Sequence, residues 1–211
     1  MTLTEQKSGS EPEMTLDPGP DEIWADLAEG NRRFQAGKPS SREFVRRREE
    51  LVNGQNPQAI VLTCADSRVC PSLAFDKNLG DLFVVRTAGN VAGPVALGSI
   101  EYAAEYLGAR VLLILGHEKC GAVAATASGG TVPTPNLESI VARIRPALES
   151  VKGRAEGDRL LRLAEQANVH RSASDLLHNS PLLQEKVKAG KLTLIKALYR
   201  LSTGQVVRLS D

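Results

Sequence analysis

Two periodicities divide the chain. Ile23, Trp24, Leu27, Ala28 and Phe34 recur near the 3.6-residue period, and Asp21 and Glu22 stand where a helix start favours acids. Gly37, Lys38 and Pro39 end this helix, and a second is predicted from Arg42 to Val52. Trp24 and Phe34 read as anchors of an apolar stripe. The pattern then changes to short apolar runs bounded by turn or polar residues: Ala59 to Thr63, Leu82 to Val85, and Val111 to Leu115. Such runs suit strands buried on both faces of a parallel sheet. Ala96, Ile100, Ala103, Ala104 and Leu107 place a helix between the second and third. Further helices are predicted over Leu137 to Val151, Asp158 to Leu177 and Leu182 to Val187. Two late strands follow, Leu192 to Leu198 and Gln205 to Leu209, joined by a turn at Ser202 to Gly204. Strand–helix–strand order predicts an α/β fold, a central, mainly parallel sheet flanked by helices. Met1 to Pro20, rich in Thr, Ser, Gly, Pro and Glu, reads as a flexible tail, leaving residues 21–211 as a single domain.

Composition narrows the classes. Hydrophobic residues make up 42% of the chain but aromatics only 4%, so the core must be aliphatic. A net charge of +1 lacks the basic excess of a nucleic-acid binder. The locally basic run of Arg42, Arg46, Arg47 and Arg48 is interleaved with Glu43, Glu49 and Glu50, as on a solvated helix face. No run is long and apolar enough to span a bilayer, and the N-terminus lacks the apolar block of a secretory signal. These features predict a cytoplasmic protein with no membrane partner. The three cysteines, an odd and low number, argue against a disulfide framework and for a reducing compartment.

Two of those cysteines carry the candidate chemistry. Cys64 follows the first strand in CADSR, and His117 follows the third in GHEKCG, with Cys120 three residues on at the expected start of a helix. Ligands of open α/β sheets gather at the carboxyl ends of strands, where these segments can converge. Two thiolates and one imidazole suit tetrahedral zinc with the fourth position open, the catalytic rather than the structural pattern. Asp66 could close that position as a fourth ligand; a two-pronged hydrogen bond from Arg68 would hold it off. Arg86, at the end of the second strand, could help build the site or form a structural ion pair. Cys70 reads as a buried structural thiol, and His170 and His178 as surface or helix residues. Gly89, Gly93 and Gly98 have the wrong spacing for a phosphate loop, and no P-loop lysine follows. Cys64 and Cys120 lack the CxxC spacing of thiol redox proteins.

Gln55, CADSRVCPS, GDLFVVRTAGN (Gly80 to Asn90), SIEYAAEYLG (Ser99 to Gly108) and GHEKCGAV (Gly116 to Val123) together resemble the β-carbonic anhydrases, closely from Asn53 to Thr126 and more loosely beyond. That resemblance implies reversible hydration of carbon dioxide to bicarbonate and a proton by zinc-bound hydroxide. It implies one Zn2+ per subunit on Cys64, His117 and Cys120, with Asp66 and Arg68 as the catalytic pair. It assigns substrate contacts to Gln55, Phe83, Tyr102 and Gly121, partly across a dimer interface. It also implies a homodimer or homotetramer in which the N-terminal helices, Asp21 to Val52, pack on the neighbouring subunit. Val61 stands where the bicarbonate-inhibited subtype carries tryptophan, so the open, plant-type behaviour is expected. With two thiolates on the metal, activity should rise toward mildly alkaline pH. Two other functions use the same residues: hydrolysis of carbonyl sulfide or carbon disulfide on this scaffold, and non-catalytic zinc binding.

Overall fold

The computed structural model describes residues 18–210, so the reading of a tail over residues 1–20 lies almost wholly outside them. Helix α1 (Pro20–Gln35) starts at a proline, with Asp21 and Glu22 in its first turn and Glu22 capping the Gly19 amide. A short α2 (Phe44–Glu50) follows. The central region alternates strand and helix: β1 (Ala59–Cys64), α3 (Pro71–Ala74), β2 (Leu82–Thr87), α4 (Pro94–Tyr106) and β3 (Val111–His117). Then come α5 (Gly121–Ser128), α6 (Pro135–Val151), α7 (Gly157–Asn179), α8 (Pro181–Lys188), β4 (Thr193–Tyr199) and β5 (Val206–Arg208).

The five strands form one sheet in the order β2-β1-β3-β4-β5. All neighbours run parallel except β4 and β5. Because side chains alternate across a strand, β1 and β3 feed two cores. Ile60, Leu62, Leu112 and Ile114 pack with Ile100, Ala103, Val169, Leu176 and Leu183, from α4, α7 and α8. Ala59, Val61, Val111, Leu113 and Leu115 face Ile23, Leu27, Ala74 and Phe75. Both faces are thus covered, which is why β1 and β3 are apolar without alternation. Trp24 and Phe34 pack only partly on this second core; Ile23 and Leu27 are the buried anchors of α1.

α1 therefore spends its apolar stripe on its own sheet, whereas α2 has no buried residue. Arg46, Arg47 and Arg48 of α2 pair with neighbouring carboxylates. Arg42 instead reaches the buried Asp76, which also binds Arg33 and the Ser40 backbone N–H. Helix α7 lies hard against the end of β3: a Cβ on Gly116 would sit 2.4 Å from Val169 Cγ2. The glycine is what lets the helix come this close.

Candidate metal centre

β1 has β2 on one side and β3 on the other, so the chain leaves β1 in one direction and returns on the opposite side. The crevice at the carboxyl ends of β1 and β3 is the switch point where α/β sheets bind ligands. Cys64 is the last residue of β1 and His117 the last of β3. Cys120 is the N-cap of α5, not a residue on its first turn as the three-residue spacing suggested. The link between strand and helix is a tight turn through Lys119, whose φ is +53°. That turn, rather than helical spacing, brings His117 and Cys120 to one side.

The sulfurs of Cys64 and Cys120 and a nitrogen of His117 lie within 4.8 Å of one another, and all three residues are buried. His117 Nδ1 is 2.8 Å from the Glu118 carbonyl oxygen. A carbonyl only accepts, so Nδ1 carries the proton and Nε2 presents a lone pair. Nε2 is buried and, among the described residues, has no hydrogen-bond partner. An orphaned imidazole nitrogen beside two thiols is a donor set that fits a borderline-soft divalent ion. The hydrogen bond between the two sulfurs splits their acidities: it brings the Cys64 thiol down to about 4 and pushes Cys120 up. Burial opposes charge on His117, but the adjacent Cys64 sulfur outweighs it and the imidazole lies above its ordinary value.

Asp66 stands beside this cluster, its Oδ2 3.9 Å from His117 Nε2. Arg68 clamps it twice, Nε donating to Oδ1 at 2.9 Å and Nη2 to Oδ2 at 2.7 Å, while the Arg68 amide donates to Oδ1. The guanidinium hydrogen bonds hold the Asp66 carboxyl well below the usual carboxylate range. Arg68 also donates to the Lys119 carbonyl, tying the β1 loop to the β3 turn.

Arg86 makes no ion pair here. It donates to the carbonyls of Cys64, Asp66 and Val69, at 3.2, 2.7 and 2.8 Å, and so staples the loop that carries Cys64 and Asp66. Its place at a strand end was the signal; its acceptors are backbone atoms, which no sequence pattern marks. Gly89, rejected as part of a phosphate loop, has a different part: its N–H donates to Cys64 Sγ at 3.3 Å. Two residues escaped the sequence reading. Glu165 Oε1 accepts from the Cys120 amide at 3.1 Å, and Asn168 Nδ2 donates to the Gly89 carbonyl at 2.8 Å. Their signal was polarity within the apolar stripe of α7. Burial raises Glu165 above the ordinary carboxyl value.

Gly121 begins α5 next to Cys120 and faces open space. The other expected substrate contacts do not join the cluster within one chain. Gln55 precedes β1, at the end opposite Cys64, and β1 alone spans about 17 Å at a strand's usual rise. Phe83 sits level with Ile60 near the start of edge strand β2, its ring 6.3 Å from that of Tyr102 on α4. Cys70 is only half-buried, in the extended conformation usual before proline. On α7, His170 is half-buried and His178 exposed.

Known proteins match this arrangement. The carbonic anhydrase family profile fits residues 59–206. Carbonic anhydrase 2 of Mycobacterium tuberculosis is 39% identical over 188 residues, 87% of this chain and 90% of its own. Beta carbonic anhydrase 5, chloroplastic, of Arabidopsis thaliana is 30% identical over 72% of this chain and 54% of its own length. The solved β-carbonic anhydrase CcaA superposes with a TM-score of 0.70 at 27% identity, covering 89% of this chain and 87% of that one. Two tetrameric β-carbonic anhydrases from Sordaria macrospora share the fold, with a TM-score of 0.70 at 23% identity over 90% of this chain and 93% of theirs. The chain belongs to the β-carbonic anhydrase family and is a carbonate dehydratase, an enzyme of carbon dioxide hydration.

Proposed function

We propose that this enzyme works with one zinc ion held by Cys64, His117 and Cys120, and that it keeps Asp66 away from the metal at neutral pH. The observation that carries the reading is the unpartnered His117 Nε2 between two thiols, beside a carboxylate already bound on both oxygens by Arg68. Zinc in such a site supplies a water acidified enough to attack at neutral pH. The protein's own groups do the rest. Ionised Asp66 can only accept a hydrogen bond, so it holds the proton of the attacking oxygen and turns its lone pair toward carbon dioxide. Arg68 fixes the carboxylate in that role. The Gly121 N–H, at the start of α5, can stabilise charge growing on a substrate oxygen. The buried Val61 fills its position in the core with an aliphatic side chain, which supports the open, plant-type behaviour.

Gln55, Phe83 and Tyr102 serve a site in a second copy of the chain. This reading rests on their distance from Cys64 and on an unburied apolar face. Val95 is 86% exposed, Tyr106 76% and Tyr102 49%, next to the half-exposed edge strand β2. A homodimer, alone or paired into a tetramer, would cover these residues. Exposed Phe44, Val45 and Val52 on and beside α2 extend the same proposal to the N-terminal region. Residues 21–211 act as one domain, in the cytoplasm.

Zinc analysis alongside stopped-flow hydration of carbon dioxide tests the reading, with sulfide release from carbonyl sulfide and carbon disulfide run beside it. One zinc per chain and fast hydration are expected. A metal-loaded structure at neutral pH with an Asp66 oxygen bonded to zinc would count against the open state.

A further inference from the structure

Helix α7 carries Glu165, Asn168 and Ser172 on one face, at intervals of three and four residues, all buried amid Ala164, Val169, Ala173 and Leu176. Burying polar side chains in an apolar seam is costly unless they are satisfied, and Asn168 is 1% exposed with its Oδ1 unpaired. Each of the three bonds to a segment of the metal centre. Glu165 holds the Cys120 amide, Asn168 the Gly89 carbonyl, and Ser172 Oγ accepts from Asn90 Nδ2 at 3.3 Å. Glu165 holds the backbone of Cys120 itself, whereas Asn168 reaches a sulfur of another residue through Gly89. Gly89 is left-handed, with φ +70° and ψ 22°, and its N–H donates to Cys64 Sγ. Asn168 binds the carbonyl of the same glycine, one Cα away from that N–H, and so ties down the next peptide unit of the turn.

We propose that Asn168 is a positioning residue for the metal centre: by fixing Gly89 it keeps an N–H on the Cys64 sulfur and so sets how strongly that sulfur donates to the metal. The proposal rests on reading Cys64 as a ligand. An N–H···S bond draws charge off a thiolate, leaving the metal more electrophilic, and it also orients the sulfur. Outer partners of this kind typically change metal affinity or activity by about 10–100-fold when removed.

The test compares Asn168→Leu and Asn168→Ala, neither able to donate, with Ser172→Ala. The last acts on the same helix and the next residue of the same loop but has no link to sulfur. Each full-length variant is loaded with cobalt(II), and its zinc affinity is measured against a competing chelator. For both Asn168 variants we expect the sulfur-to-cobalt charge-transfer band to move to lower energy, since an unbonded thiolate gives up charge more easily. Zinc affinity should fall by about tenfold or more. Ser172→Ala should leave both readings at the parent values. If the leucine variant does not fold, the smaller alanine variant carries the comparison. Asn168 variants with the parent band and affinity, whatever their stability, overturn the proposal, as does a Ser172→Ala shift of equal size. A parent chain that takes up no cobalt overturns the metal reading as well, so the two failures are distinguishable.

Discussion

Asp66 and Arg68 are a pair whose parts can be separated. Arg68→Ala should leave the three ligands and the zinc content intact while freeing the Asp66 carboxylate to turn toward the metal. We expect stopped-flow hydration to fall by about 100-fold at neutral pH, the lower range for loss of a placed proton acceptor. An unchanged rate would remove Asp66 from the mechanism. Asp76 makes a separate prediction, about stability. Its carboxylate is fully buried and bound by Arg33 and Arg42, whose side chains remain 31% and 15% exposed. Burial pushes its pKa up, but the bonds from Arg33, Ser40 and Arg42 together prevail and hold it below the ordinary value. The stabilisation is therefore complete above the unfolded value of about 4 and drains away as pH falls below it. Asp76→Asn should cost about 2 kcal/mol in urea titration at pH 7, less than a fully dry pair because both arginines reach water. The loss should shrink toward pH 3.

At the scale of elements, the loop after β2 is the sensitive one. Gly89 is left-handed, and a Cβ there would meet Ile144 Cδ1 at 2.7 Å and Ala122 Cβ at 3.1 Å. Gly89→Ala should destabilise the fold by about 1–2 kcal/mol from backbone strain alone, with packing strain added. It should also weaken zinc binding, since the displaced Gly89 N–H is the one that donates to Cys64 Sγ. A urea midpoint and a chelator titration measure the two effects separately. This loop also marks where sequence reading ends. β1 and β3 were legible because strands covered on both faces must be apolar throughout, and Cys64 and His117 because they close those strands. The N-cap placement of Cys120 was not, since a turn through positive φ at Lys119 leaves no periodic trace. Glu165 and Asn168 were illegible as site-builders for a related reason, and for Arg86 only its place at a strand end was legible. They grip backbone carbonyls and amides, whose positions exist only once the chain is folded. The polar breaks in the stripe of α7 were visible, but their partners, 45 and 79 residues away, were not.

For the whole molecule, the open question is which chain completes which site. Gln55 lies at the amino end of β1 and Cys64 at its carboxyl end, so one chain cannot readily bring both to one substrate. If the site is shared, Gln55 of one subunit serves the ligands of the other, and the isologous symmetry of a dimer makes the exchange mutual. Two crippled chains should then rescue each other. On the proposed roles, Gln55→Ala would remove a substrate contact and Asp66→Asn the proton acceptor; each homodimer should then be slow yet retain zinc. In the mixed dimer, the chain with intact Asp66 receives an intact Gln55 from its partner, and one site of the two is whole. With random pairing of equal amounts, half the dimers are mixed, and activity should recover to roughly a quarter of the parent value. If Gln55 served its own chain's site, the mixed dimer would join one site lacking the amide to one lacking the carboxylate. Activity would then stay at the average of the two homodimers. Co-refolding the differently tagged chains and isolating the mixed species reads out the difference directly, because the recovered rate depends on the geometry of sharing and not on the stability of either variant.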